Sequence, residues 1–252
     1  VIAATRALAR REVTRSLRTP AVLIQSVVFP SILLMVLLAV FGTAVGEVTG
    51  LDYVQRVGPA LIISGAAFGS VGVALGLYVD RTTGFLARLR TLPIAPVAPA
   101  AARSVAEHLR VLVLTALLLA VASAFGFRFT NGVVPAFAFV VVAVVCGGSF
   151  CWIGMALAAR AASQESIVPP VSALFLAGLF LSHGMVPIDA FPGWVQPIVE
   201  IAPASVMVLA LQRLANGGAL VAPIAGALAW TAMITSIGAR LTTTALARSG
   251  SR

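Results

Sequence analysis

The stretch LIISGAAFGSVGVALGLYV, residues 61–79, followed without a break by DRTTGFLARLRTLPIAPVAPAAAR, residues 80–103, decides the fold. The first part carries no ionisable group except its tyrosine, and its length matches the ~20 residues a helix needs to cross a ~30 Å hydrocarbon layer. The second part turns abruptly basic and proline-rich, as a segment held outside lipid does. Working outward, apolar runs of similar length recur at 22–41, 109–125, 136–157, 168–186 and 222–239, which makes six candidate spans. Hydrophobic residues form 60% of the chain and the mean hydropathy is +1.06, more than a soluble core of 252 residues can bury. The expected fold is a single all-α integral membrane domain over residues 1–252, with six transmembrane helices and both ends on one side.

Charge placement orients the chain. All seventeen cations are arginine, since there is no lysine. Arg6, Arg10, Arg11, Arg15, Arg18, Arg81, Arg88, Arg90, Arg103, Arg110, Arg160, Arg240, Arg248 and Arg252 fall in one set of termini and loops, while Arg56, Arg128 and Arg213 fall in the other. The positive-inside rule makes the first set cytoplasmic. The formal net charge of +9 is then a matter of topology, and nucleic acid is not an expected partner. The missing lysine also excludes a P-loop, whose lysine must reach the terminal phosphates of a nucleotide.

Four segments stand out between the spans. Residues 1–19 read as an amphipathic cytoplasmic helix: Ile2, Ala9, Val13 and Leu17 share a face, and Arg11, Arg15 and Arg18 point away from it. Within the second span, Gly65, Gly69, Gly72 and Gly76 form successive small-residue pairs, the pattern that lets another helix approach closely, within the chain or in a second subunit. Residues 80–103 allow a short helix through Phe85, Leu86 and Leu89, stopped by Pro93, Pro96 and Pro99. Its apolar and arginine faces suit a docking element. Just beyond, Glu107 has Arg103 four residues before it and Arg110 three after, so it can pair with either near the headgroups.

Residues 184–218 are apolar enough to enter lipid but are cut by Pro187, Pro192, Pro197 and Pro203. The run after Pro203 reaches only ~18 Å at 1.5 Å per residue and cannot span. A re-entrant helical hairpin on the outer face, with Trp194 at interfacial depth, fits this pattern. Broken backbone at that depth lines a wet cavity or is buried in protein, which points to a translocation path.

Catalytic chemistry is sparse. There is no GxSxG elbow, no HExxH and no paired acidic motif. Cys146 and Cys151 read as small buried residues, not as metal ligands, and no metal site is expected. His183 beside Ser182 reads as an interfacial histidine or a proton carrier. The residues alone therefore describe a non-catalytic conduit driven from elsewhere, with an ion-coupled carrier or channel, and then a membrane-embedded lipid enzyme, as alternatives.

RTTGFLARLRTLPIAP (81–96), FGFRFTNG (125–132) and MVPIDAFPGWVQPIVEIAPAS (185–205) together resemble the ABC-2 family of export permeases, in its daunorubicin- and doxorubicin-resistance branch of antibiotic or lipid exporters in actinobacteria. The likeness covers nearly the whole chain. It implies two permease chains, identical or homologous, paired in lipid and served by two copies of a separate ATPase subunit that binds Mg-ATP, with no cofactor in this chain. It also implies that residues 1–19 are a connecting helix and that Asp80, Arg81, Gly84, Phe85, Arg88 and Arg90 transmit motion from the ATPase. Pro187, Pro192, Trp194, Pro197 and Pro203 would then form an outer gate, and the substrate would be a hydrophobic or amphipathic drug or lipid. The lysine-free, alanine- and arginine-rich composition adds a GC-rich genome, hence a bacterial inner membrane.

Overall fold

A computed structural model describes residues 2–18, 28–40, 53–95, 97–182, 184, 188 and 191–248, which form helices and connecting turns with no strand among them. In chain order the helices are α1 (Ile2–Arg18), α2 (Val28–Val40), α3 (Tyr53–Thr82), α4 (Phe85–Arg90), α5 (Ala98–Ala124), α6 (Val133–Ser149), α7 (Cys151–Ala158), α8 (Val168–Phe180), α9 (Gln196–Ile201), α10 (Pro203–Asn216) and α11 (Val221–Arg248).

Among the described residues, four stretches are long and apolar enough to cross a membrane: α3, α5, the continuous run of α6 and α7, and α11. Phe150, between α6 and α7, keeps a helical conformation (φ −61°, ψ −24°), so the two act as one rod. α2 and α8 stand within the first and fifth expected spans. Each has 13 residues, or about 20 Å of helix at 1.5 Å per residue, and the flanking residues 22–27, 41, 183, 185 and 186 lie outside those described.

Two long helices begin earlier than their apolar windows suggest, because three-dimensional partners satisfy the polar residues that end those windows. α5 starts at Ala98 instead of near residue 109 and carries Arg103, Glu107 and Arg110 inside the helix. α3 starts at Tyr53 instead of near residue 61. There Gln55 Nε2 donates to Arg128 O at 2.9 Å, and Gln212 Nε2 donates to Arg56 O at 3.1 Å, tying the start of α3 to the α5–α6 loop and to α10. Thr130 N donates to Ala215 O at 3.0 Å on the same end of the bundle. Phe127, Phe129 and Phe139 close that end edge to face, with ring centroids 5.2–6.2 Å apart.

α3 is the hub, packed by α5, α6, α7, α8 and α10, and buried over most of its length. Small residues bring the α6–α7 rod close to it. A Cβ on Gly147 would lie 2.8 Å from Ala66 Cβ, and one on Gly154 2.9 Å from Ser70 O, so neither position accepts a larger side chain without displacing α3. α11 is peripheral. It packs on α7, α6 and α10 and turns Leu228, Met233, Ile237 and Leu241 outward, while α5 exposes Val105, Leu109, Leu112 and Val113. Apolar surface this extensive is stable only against lipid or another apolar partner.

Candidate functional site

At the end of the bundle opposite the phenylalanine trio, α1, α3 and α5 converge on a buried ionic cluster. Asp80 lies in the last turn of α3 and is only 4% exposed. One carboxylate oxygen accepts from Arg103 Nη2 of α5 and from Arg11 Nη1 of α1 at 3.3 Å, and the other accepts from Arg15 Nη1 at 3.2 Å. Glu12 Oε1 completes the group, 2.9 Å from Arg11 Nη1 and 3.3 Å from Arg103 Nη2. Two turns further along α5, Arg110 grips Glu107 with both arms of its fork: Nε to Oε2 at 2.8 Å and Nη2 to Oε1 at 2.6 Å. Arg110 Nη2 also donates to Ala66 O of α3 at 3.2 Å.

The glycines of α3 make room for these cations. A Cβ on Gly69 would fall inside the Arg110 guanidinium, and one on Gly76 would lie 3.0 Å from Arg103 Nη1. Gly65 faces Pro30 of α2 and Leu114 of α5, at 3.3 and 3.4 Å from its would-be Cβ. Small residues thus admit another helix at Gly65 and arginine side chains at Gly69 and Gly76, while Gly72 lines the cavity beside them.

The helix termini beside the cluster are bracketed. Arg81 donates to Ala159 O at 2.6 Å and to Ala161 O, with Tyr78 beneath its guanidinium, and the Tyr78 hydroxyl donates to Ala162 O at 3.1 Å. Gly84, at φ 74°, supplies the left-handed turn between α3 and α4, a conformation other residues reach only with strain. α4 then folds back. Leu86 is buried in the group formed by Ala74, Leu77, Trp152 and Met155, and Arg11 lies over the Phe85 ring, 4.0 Å from its centroid. Thr82, Thr83, Ala87, Arg88, Thr91 and Leu92 remain exposed.

The residues singled out in 80–103 therefore divide by direction. Asp80 and Arg81 face inward as brackets, Gly84 shapes the turn, Phe85 is half-covered by α1, and Arg88 projects outward; Arg90 ends α4. Arg11 and Arg15 were expected to point away from the apolar face of α1, but they reach across to Asp80, because a buried carboxylate attracts any cation within range. Glu107 serves Arg110, leaving Arg103 to α1 and α3. Sequence spacing could have suggested the first pairing, but not the second, whose partners are remote in the chain.

In the segment after α8, Pro197 sits in the first turn of α9 and Pro203 opens α10, positions where a missing N–H costs no helical hydrogen bond. Pro192 is exposed and Trp194 is 76% exposed, whereas Pro187 and His183 lie outside the described residues. Gly217, at φ 90°, closes α10, with its N–H donating to Arg213 O at 2.9 Å.

Residues 3–214 match the family model described as ABC-2 type transporter. The chain belongs to the ABC-2 type transporter family. This ABC-2 permease is 32% identical over 233 residues to the "probable doxorubicin resistance ABC transporter permease protein DrrC" of Mycobacterium tuberculosis, covering 92% of this chain and 84% of that one. It is also 30% identical over 200 residues to the daunorubicin resistance ABC transporter permease protein DrrB1 of Streptomyces coeruleorubidus, covering 79% of this chain and 70% of that one. The permease is a multi-pass membrane protein and the transmembrane subunit of an ABC exporter.

Proposed function

We propose that this permease forms the path by which a hydrophobic or amphipathic drug, antibiotic or lipid leaves across a bacterial cytoplasmic membrane. A separate ATPase subunit, present in two copies and carrying Mg-ATP, docks on α4 from the cytoplasm, and a second permease chain completes the path. In this reading the chain crosses six times, with α2 and α8 as the cores of the first and fifth spans, both termini inside, and α9 and α10 as a re-entrant outer hairpin.

The observation that carries the reading is the position of α4. Leu86 anchors it and Arg81 braces the adjoining end of α3, while Arg88 and Leu92 stay free to meet a partner. A push on α4 reaches α3 through the turn at Gly84 and reaches α1 through Phe85 and Arg11. Coupling needs such an element shared between two states. Drugs resisted by the relatives named above are the first substrates to try.

An ion-coupled carrier is favoured by one observation, the buried Glu107, but both of its oxygens are held by Arg110. The test is reconstitution with the ATPase. Phe85→Ala with Arg88→Glu is expected to leave insertion intact and to abolish drug-stimulated ATP hydrolysis and drug efflux together. Full stimulation in that variant, or efflux that follows an ion gradient without ATP, overturns the proposal.

A further inference from the structure

Between α1, α3 and α5 lies a cavity of about 250 Å³, several times the ~30 Å³ that one water occupies in the liquid. Arg15, Arg103 and Arg110 line it against Glu12 and Glu107, and with Asp80 and Arg11 of the adjoining cluster four arginines meet three carboxylates, one positive charge in excess. Gly69, Gly72 and Gly76 keep the α3 side open, and the remaining wall is apolar, with Val73, Leu75, Val79 and Ala106.

Two of the lining guanidinium groups are nearly closed off from solvent, with Arg103 and Arg110 side chains 4% and 9% exposed. Each keeps a donor in reserve: Arg103 Nε and Arg110 Nη1 are buried without a hydrogen-bond partner in the protein. Buried polar groups are nearly always satisfied, and charged donors in a low-dielectric interior most of all. The carboxylates of Asp80, Glu12 and Glu107 accept from other nitrogens of the same arginines, and none of their oxygens lies in hydrogen-bond contact with Arg103 Nε or Arg110 Nη1.

We infer that this cavity binds a phosphate-class oxyanion, recognised by the uncommitted N–H groups of Arg103 and Arg110. A planar guanidinium presents its donors at the spacing of two phosphate oxygens, whereas an ammonium offers a point charge. The excess positive charge selects an anion, and the apolar wall accommodates the first carbons of whatever bears it. The outward face of α5 beside the cavity is apolar at Val105 and Leu109, so a lipid headgroup and a free phosphate are two sources of the same ligand. The inference concerns the purified chain and holds whichever compound the exporter moves.

The test uses the full chain in a neutral detergent. Native mass spectrometry counts adducts of phosphatidylglycerol against diacylglycerol of the same acyl chains. Thermal stability is followed in sodium phosphate against sodium chloride at matched ionic strength. Arg103→Lys with Arg110→Lys keeps both charges and removes the forked donors, and Ala106→Phe fills the cavity without touching an ion pair. Selective phosphatidylglycerol binding, about tenfold weaker in either variant, identifies a lipid headgroup. Stabilisation by inorganic phosphate that both variants lose identifies an anion from solution. The inference is overturned if the wild-type chain shows neither preference, or if an Ala106→Phe protein with an unchanged size-exclusion profile responds as the wild type does.

Discussion

Asp80 holds three arginines from two other helices while itself closed to solvent, and the stability of this end of the bundle turns on it. Removing one member of a buried ion pair strands the others, at a cost of about 3–5 kcal/mol. Asp80→Asn is therefore expected to lower the thermal midpoint of the purified chain severely, as read by size exclusion after heating. Arg11→Ala removes a side chain that is 40% exposed, and its cost should stay within about 1 kcal/mol. Equal losses in the two variants would mean that the cluster is solvated. Gly69 offers a second residue-scale test. Gly69→Ala places a methyl group inside the Arg110 guanidinium and must expel it from Glu107, whereas a Cβ on Gly193 meets nothing within 4 Å. The first variant should unfold at clearly lower temperature than Gly193→Ala in the same assay.

Among the elements, α4 depends on its entry turn as much as on its own six residues. Gly84 has open space for a side chain but sits at φ 74°, so Gly84→Val strains the backbone by about 1–2 kcal/mol without a clash. Global stability should fall by no more than that strain while ATPase binding to the permease weakens, which pull-down with the partner subunit measures. This short helix was legible in the sequence, because a glycine before Phe85 and prolines after Leu92 bound it from both sides. The helical starts at Pro197 and Pro203 were legible for the same local reason. The start of α5 was not. Its first turns carry Arg103, Glu107 and Arg110, which lower any hydropathy window, and the groups that make them tolerable come from Glu12, Asp80 and Ala66 on other helices. Hydropathy reads a helix against water or lipid, and it cannot see a polar partner supplied by tertiary structure. The glycines of α3 fell to the same limit: their spacing announced a close approach, but not that guanidinium groups would occupy two of the four positions.

Over the whole molecule, the two ends are built differently, one from ion pairs and α4, the other from three packed phenylalanines and the last turns of α10, where Ala215 O accepts from Thr130 N. The positive-inside rule assigns the arginine-rich end to the cytoplasm, where an ATPase could reach Arg88. The native thiols make this assignment easy to test. Cys146 and Cys151 have no accessible surface, so a membrane-impermeant maleimide should leave the wild-type chain unlabelled. Arg88→Cys and Trp194→Cys then each add one thiol at an exposed position, and the proposed six-span topology puts the two on opposite sides of the membrane. In intact cells only the Trp194→Cys protein should react, and in inside-out vesicles only the Arg88→Cys protein. Both reacting from one face would show that α4 and the α9–α10 pair lie on the same side of the membrane. A mechanism in which an ATPase docked on α4 opens an exit at α9 and α10 on the far side of the bilayer does not survive that result.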